Sequence, residues 1–235
     1  MRRLLASGCS YTDYYWTTWA DVLGAEFAEY KQVGQGGCDN ASVARSIINN
    51  ARPDDVVVAM WTSYDRWSLY SDKVQPLPKD PNNHWCHIGS VALWDKGFFV
   101  KYYHRVERFQ TTMDYIQLVN LHSQVNGYTV YHFSAFPFFI AETERTVDLR
   151  LVEIYNKYSI NNNYLTSKVS LQEFRDQHHN ILINGYDPHP TPLCHWDYAE
   201  QIIAPKLGIA LTQSRKPSIM QEQQDCVSGL LKYDE

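Results

Sequence analysis

Leu4-Leu5-Ala6-Ser7-Gly8-Cys9-Ser10-Tyr11-Thr12 is the stretch on which the reading of the fold turns. Four apolar or small residues running into a glycine predict a short buried strand that ends in a tight turn. Downstream, Val56-Val57-Val58-Ala59-Met60-Trp61 is apolar without alternation, as central parallel strands are. Tyr128–Phe133 predicts a third strand and Asn180–Ile183 a fourth. Between them lie segments of helical period. Residues 13–29 carry Trp16, Trp19, Ala20, Leu23 and Phe27, and Asn40–Asn50 carries Ala41, Ala44, Ile47 and Ile48 on one face. A long helix is expected within 101–126 and a last one over Asp197–Leu207. Ser170-Leu171-Gln172-Glu173 has capping-box spacing, so a helix start is expected near Ser170. Strands alternating with helices predict an α/β protein, a three-layer α/β/α sandwich with a mostly parallel central sheet. In such sheets functional groups lie beyond the carboxyl ends of the strands, here just after residues 7, 61, 133 and 183.

The 235 residues are enough for a buried core in one domain, read as 1–211, followed by a polar tail over 212–235. Two stretches break the alternation, at about 67–100 and 138–179. Loops of that length inside a compact domain are more often binding insertions or lids than filler. The tail is Gln-rich and is expected to be loosely packed or docked on an oligomeric partner. With 21 Lys+Arg against 26 Asp+Glu and no basic block, nucleic acid is not the expected partner. The longest apolar run, Val56–Trp61, is far short of the roughly 20 residues a membrane-spanning helix needs. The five cysteines include no C-x-x-C pair, which argues against a disulfide framework or zinc ribbon and for a reducing compartment. The first eight residues lack the apolar stretch of a secretory signal and read as mature protein. The aromatic load of 17 Tyr and 7 Trp suits a ligand-lined cleft as well as a core.

Four local patterns fall at the expected strand ends. Gly8-Cys9-Ser10-Tyr11-Thr12 offers a serine hydroxyl above the sheet edge, with its N–H near a helix start. Gln32-Val33-Gly34-Gln35-Gly36-Gly37 is not a dinucleotide fingerprint; its glycines let a backbone N–H approach a ligand closely. Trp61-Thr62-Ser63-Tyr64-Asp65-Arg66 places polar groups after a buried strand. Asp187-Pro188-His189-Pro190 holds an imidazole between two prolines, with a carboxylate two residues earlier that can fix its tautomer.

In order and spacing the four patterns resemble the SGNH hydrolases, also called GDSL-type esterases. Gly8-Cys9-Ser10-Tyr11-Thr12 matches the G-D-S-x-[ST] block with Cys9 in place of Asp. Gln32-x-Gly34-x-x-Gly37 matches N-x-G-x-x-G with Gln in place of Asn, and Asp187-x-His189 is one residue shorter than D-x-x-H. The G-C-S-[FY]-T opening is similar to that of bacterial and phage members. The resemblance spans residues 4 to about 207 outside the insertions, and implies an ester hydrolase with Ser10 as nucleophile, His189 as general base and Asp187 orienting the imidazole. It further implies an oxyanion hole from the N–H groups of Ser10 and Gly37, with Ser63 or Thr62 at the position of the family's Asn. Tyr11, Asn40, Trp61 and Arg66 are the candidate substrate-contacting residues; Asn40 and Arg66 are also candidates to replace the missing amide donor. No metal or cofactor is required. The expected substrate is a small acyl ester, with O-acetyl groups on carbohydrate preferred because Trp61, Trp67, Trp85 and Trp94 offer stacking faces. The alternatives are an inactive SGNH-like carbohydrate-binding or structural module, and a zinc site at His84-Trp85-Cys86-His87.

Overall fold

The structure, a computed structural model, describes residues 2–70, 85–90, 103–137, 149–159, 165–179, 182–183 and 187–228. Its sheet contains β1 (Arg3–Ser7), β2 (Glu29–Gln32), β3 (Val56–Trp61) and β6 (Thr129–Ser134) in the order β2-β1-β3-β6. All three pairings are parallel, with Leu4 opposite both Tyr30 and Val56, and Trp61 opposite Ser134. Parallel pairing brings the four carboxyl ends to one edge. β1 and β3 are buried along their whole length, which explains their unbroken apolar runs. Helices α2 (Asn40–Asn50) and α3 (Arg105–Asn126) pack against the sheet and each other. The other helical layer holds α1 (Trp19–Gly24), α5 (Leu171–His178), α6 (Pro192–Tyr198) and α8 (Lys216–Ser228). The remaining helices are α4 (Leu149–Ser159), against α3, and α7 (Ala204–Leu207), joined to α6 by a π-helical turn over Ala199–Ile203.

Local chemistry accounts for the helix boundaries. Asp39 caps α2 by accepting the Ser42 N–H at 2.9 Å. Ser170 opens α5 with the reciprocal Ser170–Glu173 bonds expected from its capping box. Gly127, at φ 71°, terminates α3 in the left-handed conformation that glycine adopts at little cost.

Four elements differ from the sequence-based expectation. The helix predicted over 13–29 is confined to Trp19–Gly24, because residues before it are drawn into tertiary bonds: Tyr14 to Asp187, Trp16 to Pro190 and the Thr17 N–H to Glu222. Residues 29–32 form instead the edge strand β2, whose polar sequence needs only partial cover. The expected strand over 180–183 lies partly outside the described residues; Ile183 itself forms only an isolated antiparallel bridge to Asp187. The tail, read as loose or docked on a partner, carries α8 against the chain's own α6. Ile219 and Cys226 are buried there, Gln223 accepts the Leu193 N–H, and Lys216 pairs with Asp197 and Glu200. Part of the 67–100 insertion is an antiparallel pair, β4 (Arg66–Tyr70) with β5 (Trp85–Ser90). Trp94 and His84 lie outside the described residues.

β1 begins with a buried charge. Arg3 donates from Nε and Nη2 to the two oxygens of Asp55, at 3.0 and 2.6 Å, and from Nη2 to the Asn50 carbonyl at 2.8 Å. This bidentate pair fastens the start of β1 to that of β3, and breaking such a buried pair by removing one partner costs about 3–5 kcal/mol. Arg3→Met, which strands Asp55, is expected to lower unfolding stability by that order in urea titrations; a change within 0.5 kcal/mol would show the pair to be dispensable.

Candidate functional site

The turn after β1 carries Ser10. The Thr12 and Asp13 N–H groups both donate to the Cys9 carbonyl, at 2.8 and 3.2 Å, wrapping one tight turn around the serine. That turn, and not the N-terminus of α1, holds Ser10, since α1 starts only at Trp19. At the opposite end of the chain, Asp187 and His189 stand just before α6, whose first turn is capped by Thr191 and begun by Pro192. Ser10 Oγ lies 3.0 Å from His189 Nε2, and His189 Nδ1 lies 2.7 Å from Asp187 Oδ1. The His189 backbone N–H donates to the same Asp187 oxygen at 2.9 Å, so the two-residue spacing makes one carboxylate hold both backbone and ring.

Tyr14, which sequence reasoning missed, donates its hydroxyl to Asp187 Oδ2 at 2.7 Å. Its ring stacks on His189 with centroids 4.0 Å apart, while Tyr11 meets the imidazole edge-on at 5.6 Å. Trp16 Nε1 donates to the Pro190 carbonyl at 2.9 Å, and Arg175 Nη1 donates to the Pro188 carbonyl. The only signal for these was the aromatic run Tyr14-Tyr15-Trp16, with nothing to say that it reaches a loop 173 residues away.

Burial would raise the Asp187 pKa, but the bonds from the His189 N–H, Tyr14 and the His189 ring outweigh it and hold the carboxyl below its ordinary range. Burial lowers the pKa of His189. The bond and charge of Asp187 oppose that, Arg66 and Arg175 add to it, and the balance falls below the ordinary 6.5. At neutral pH the site therefore holds a carboxylate, a neutral imidazole and a serine hydroxyl in one row. His195 is fully buried, and burial lowers its pKa to about 3, so it is also neutral.

An acetyl xylan esterase from Geobacillus stearothermophilus superposes on 90% of this chain and 96% of its own, with a TM-score of 0.51 at 14% identity. A member of the lipolytic protein G-D-S-L family from Veillonella parvula superposes on 86% of this chain and 98% of its own, with a TM-score of 0.45 at 11% identity. The chain shares the three-layer α/β/α fold of that acetyl xylan esterase, the fold that its resemblance to the SGNH hydrolases implies. No protein-family model and no curated protein matches the sequence.

Two blocks of the SGNH pattern meet through backbone. The Gly8 carbonyl accepts the Gln35 N–H at 2.9 Å and the Cys38 thiol at 3.4 Å, drawing the glycine turn against the serine turn. Gln32, at the family's Asn position, reaches the Thr12 carbonyl. Gly37 has φ 72°, which orients its peptide in a way a side-chain-bearing residue rarely adopts. Cys9, where the family has Asp, is fully buried.

Several expected contacts are corrected. Trp61 is fully buried, with Nε1 donating to His132 Nδ1 at 3.0 Å, so it belongs to the core and not to a cleft wall. Asn40 is buried and doubly engaged: its Oδ1 accepts the Thr62 N–H at 2.8 Å, and its Nδ2 donates to the Thr62 carbonyl and to Thr112 Oγ1. It clamps the end of β3 to α2 and has no amide hydrogen left for a ligand. Ser63 donates its hydroxyl to Asp65 at 2.6 Å, and Thr62 is fully buried. Tyr11 does lie beside His189, and Arg66 sits over the Phe136 ring at 5.0 Å. Trp67 carries the Arg108 guanidinium over its ring at 4.9 Å.

Because Asp187 raises the imidazole pKa against the effect of burial, Asp187→Asn is expected to move the His189 titration further down. Nitrogen-15 NMR of the ring through a pH series reads this directly; an upward move would contradict the arrangement.

Proposed function

We propose that this protein is a serine ester hydrolase acting on short acyl esters, with O-acetyl groups on carbohydrate as the preferred class. The observation that carries the proposal is the unbroken row Ser10–His189–Asp187, at 3.0 and 2.7 Å. A serine hydroxyl is a weak nucleophile until a neutral base stands ready to take its proton, and His189 is held neutral and aimed at it. Ser10 is 8% exposed, which favours a short acyl chain over a bulky one. The acetyl xylan esterase of similar fold supports the choice of acetyl esters.

In the proposed reaction Ser10 Oγ attacks the ester carbonyl carbon while its proton passes to His189 Nε2. The carbonyl oxygen becomes an oxyanion facing the N–H groups of Ser10 and Gly37. Asp187 Oδ1 keeps the proton on Nδ1 and stabilises the transient imidazolium. The carbon–oxygen bond to the alcohol then breaks, and the alcohol leaves with the proton from Nε2. Water attacks the acyl-serine with His189 again taking a proton, and the collapse returns that proton to Ser10 Oγ and releases the acid. Tyr14 acts as a positioning residue through its bond to Asp187 and its stacking on the imidazole.

Hydrolysis of 4-nitrophenyl acetate and of acetylated sugars by wild type, Ser10→Ala and His189→Ala tests this. Both variants are expected to lose at least about 10³-fold in kcat. Equal rates in all three folded proteins would remove the esterase reading and leave a binding module. In wild type, kcat/KM is expected to rise with pH through a pKa below 6.5 and then level off, because protonating His189 removes the base. A single inflection well above 6.5 would point to a different base.

A further inference from the structure

Arg66 opens β4, shortly after the end of β3. Its guanidinium stands 5.0 Å from the centre of the Phe136 ring. Phe136 lies 4.9 Å from the Tyr11 ring, and Tyr11 lies 5.6 Å from His189. A wall of aromatic rings thus leads from the guanidinium to the imidazole. The charge of Arg66 acts on His189, on Tyr11 and on Cys38, next to Gly37.

This cation is incompletely matched. Its Nη1 is buried and has no hydrogen-bond partner among the described residues. The neighbouring carboxylates are engaged elsewhere: Asp65 accepts the Ser63 hydroxyl, and the two oxygens of Asp39 accept the N–H groups of Ser42 and Ser68. The second arginine whose charge reaches His189, Arg175, is bonded to Asp176 and to the Pro188 carbonyl. A buried charged donor without an acceptor is costly to maintain, and the planar guanidinium fork matches a planar carboxylate. An Nη1 donor without an acceptor suits one oxygen of a negatively charged group.

We propose that Arg66 binds a carboxylate on the alcohol part of the substrate, so that the preferred ester is an acetyl group on an acidic alcohol such as an acidic sugar. This rests on the reading of Ser10 and His189 as the hydrolytic pair. The acetyl group itself is too small to carry the charge, which assigns the carboxylate to the alcohol.

The test compares 4-acetoxybenzoate with 4-acetoxybenzamide, near-isosteric acetyl esters that differ in charge. Wild type is expected to favour the acid in kcat/KM by about tenfold or more, the scale of a charge-assisted hydrogen bond. In Arg66→Gln that ratio is expected to collapse towards one, and Arg66→Lys, which keeps the charge without the fork, to retain an intermediate preference. A wild-type ratio near one, or one that persists in Arg66→Gln, would overturn the proposal. Equilibrium binding of the two compounds to Ser10→Ala, with and without Arg66→Gln, separates this from the hydrolytic reading. If neither ester is hydrolysed, that reading falls alone; tighter binding of the acid that is lost with Arg66→Gln keeps the carboxylate site, and equal binding removes it.

Discussion

The exit of β1 is a place where three backbones must nearly touch. A methyl group on Gly8 would fall on Thr12 Oγ1 and within 2.9 Å of the Met60 carbonyl, and one on Gly34 would lie 2.9 Å from the Gly8 carbonyl. With both side chains absent, the turns that follow β1 and β2 close on each other and on the end of β3. The Gly8 carbonyl then serves as a common acceptor for Gln35 and Cys38. Ser10 and Gly37 owe their shared neighbourhood to this approach.

The second half of the site comes from the far end of the chain, and aromatic side chains hold it in place. Tyr14 performs two tasks with one ring, stacking on His189 and donating to Asp187, while Trp16 ties down the Pro190 carbonyl. These bonds hold residues 13–18 out of helical conformation, which sacrifices a turn or more of helix that their apolar spacing would otherwise support. The same packing desolvates the imidazole, so the enclosure that fixes the geometry also keeps His189 neutral. Asp187 remains charged in that enclosure because three donors converge on it.

A contrast runs along the end of β3. Asn40 is taken up by the Thr62 backbone and by Thr112, and Ser63 by Asp65, so these polar residues that looked available are structural. Trp61 and His132 likewise form a buried pair, with Asn120 closing the other ring nitrogen at 2.9 Å. Among the described residues at this edge, Thr62 Oγ1 and Arg66 Nη1 are buried polar atoms left without a hydrogen-bond partner.

What the sequence determined by itself was whatever depends on short-range pattern. Unbroken apolar runs marked β1 and β3, the Ser170 capping box marked α5, and glycine and proline spacing singled out Ser10, Gly37, Asp187 and His189. Each of these is a demand that a backbone places on a few adjacent residues, so it is written locally. Tertiary structure decided the rest: that Glu29–Gln32 is an edge strand despite its polarity, that residues 213–228 fold back on the chain's own α6, that Tyr14 reaches Asp187, and that Asn40 and Trp61 face inward. A hydrogen bond is made by whichever donor and acceptor packing brings together, and burial by whichever surface another element covers. Neither partner carries a mark of the other in its own neighbourhood of the chain.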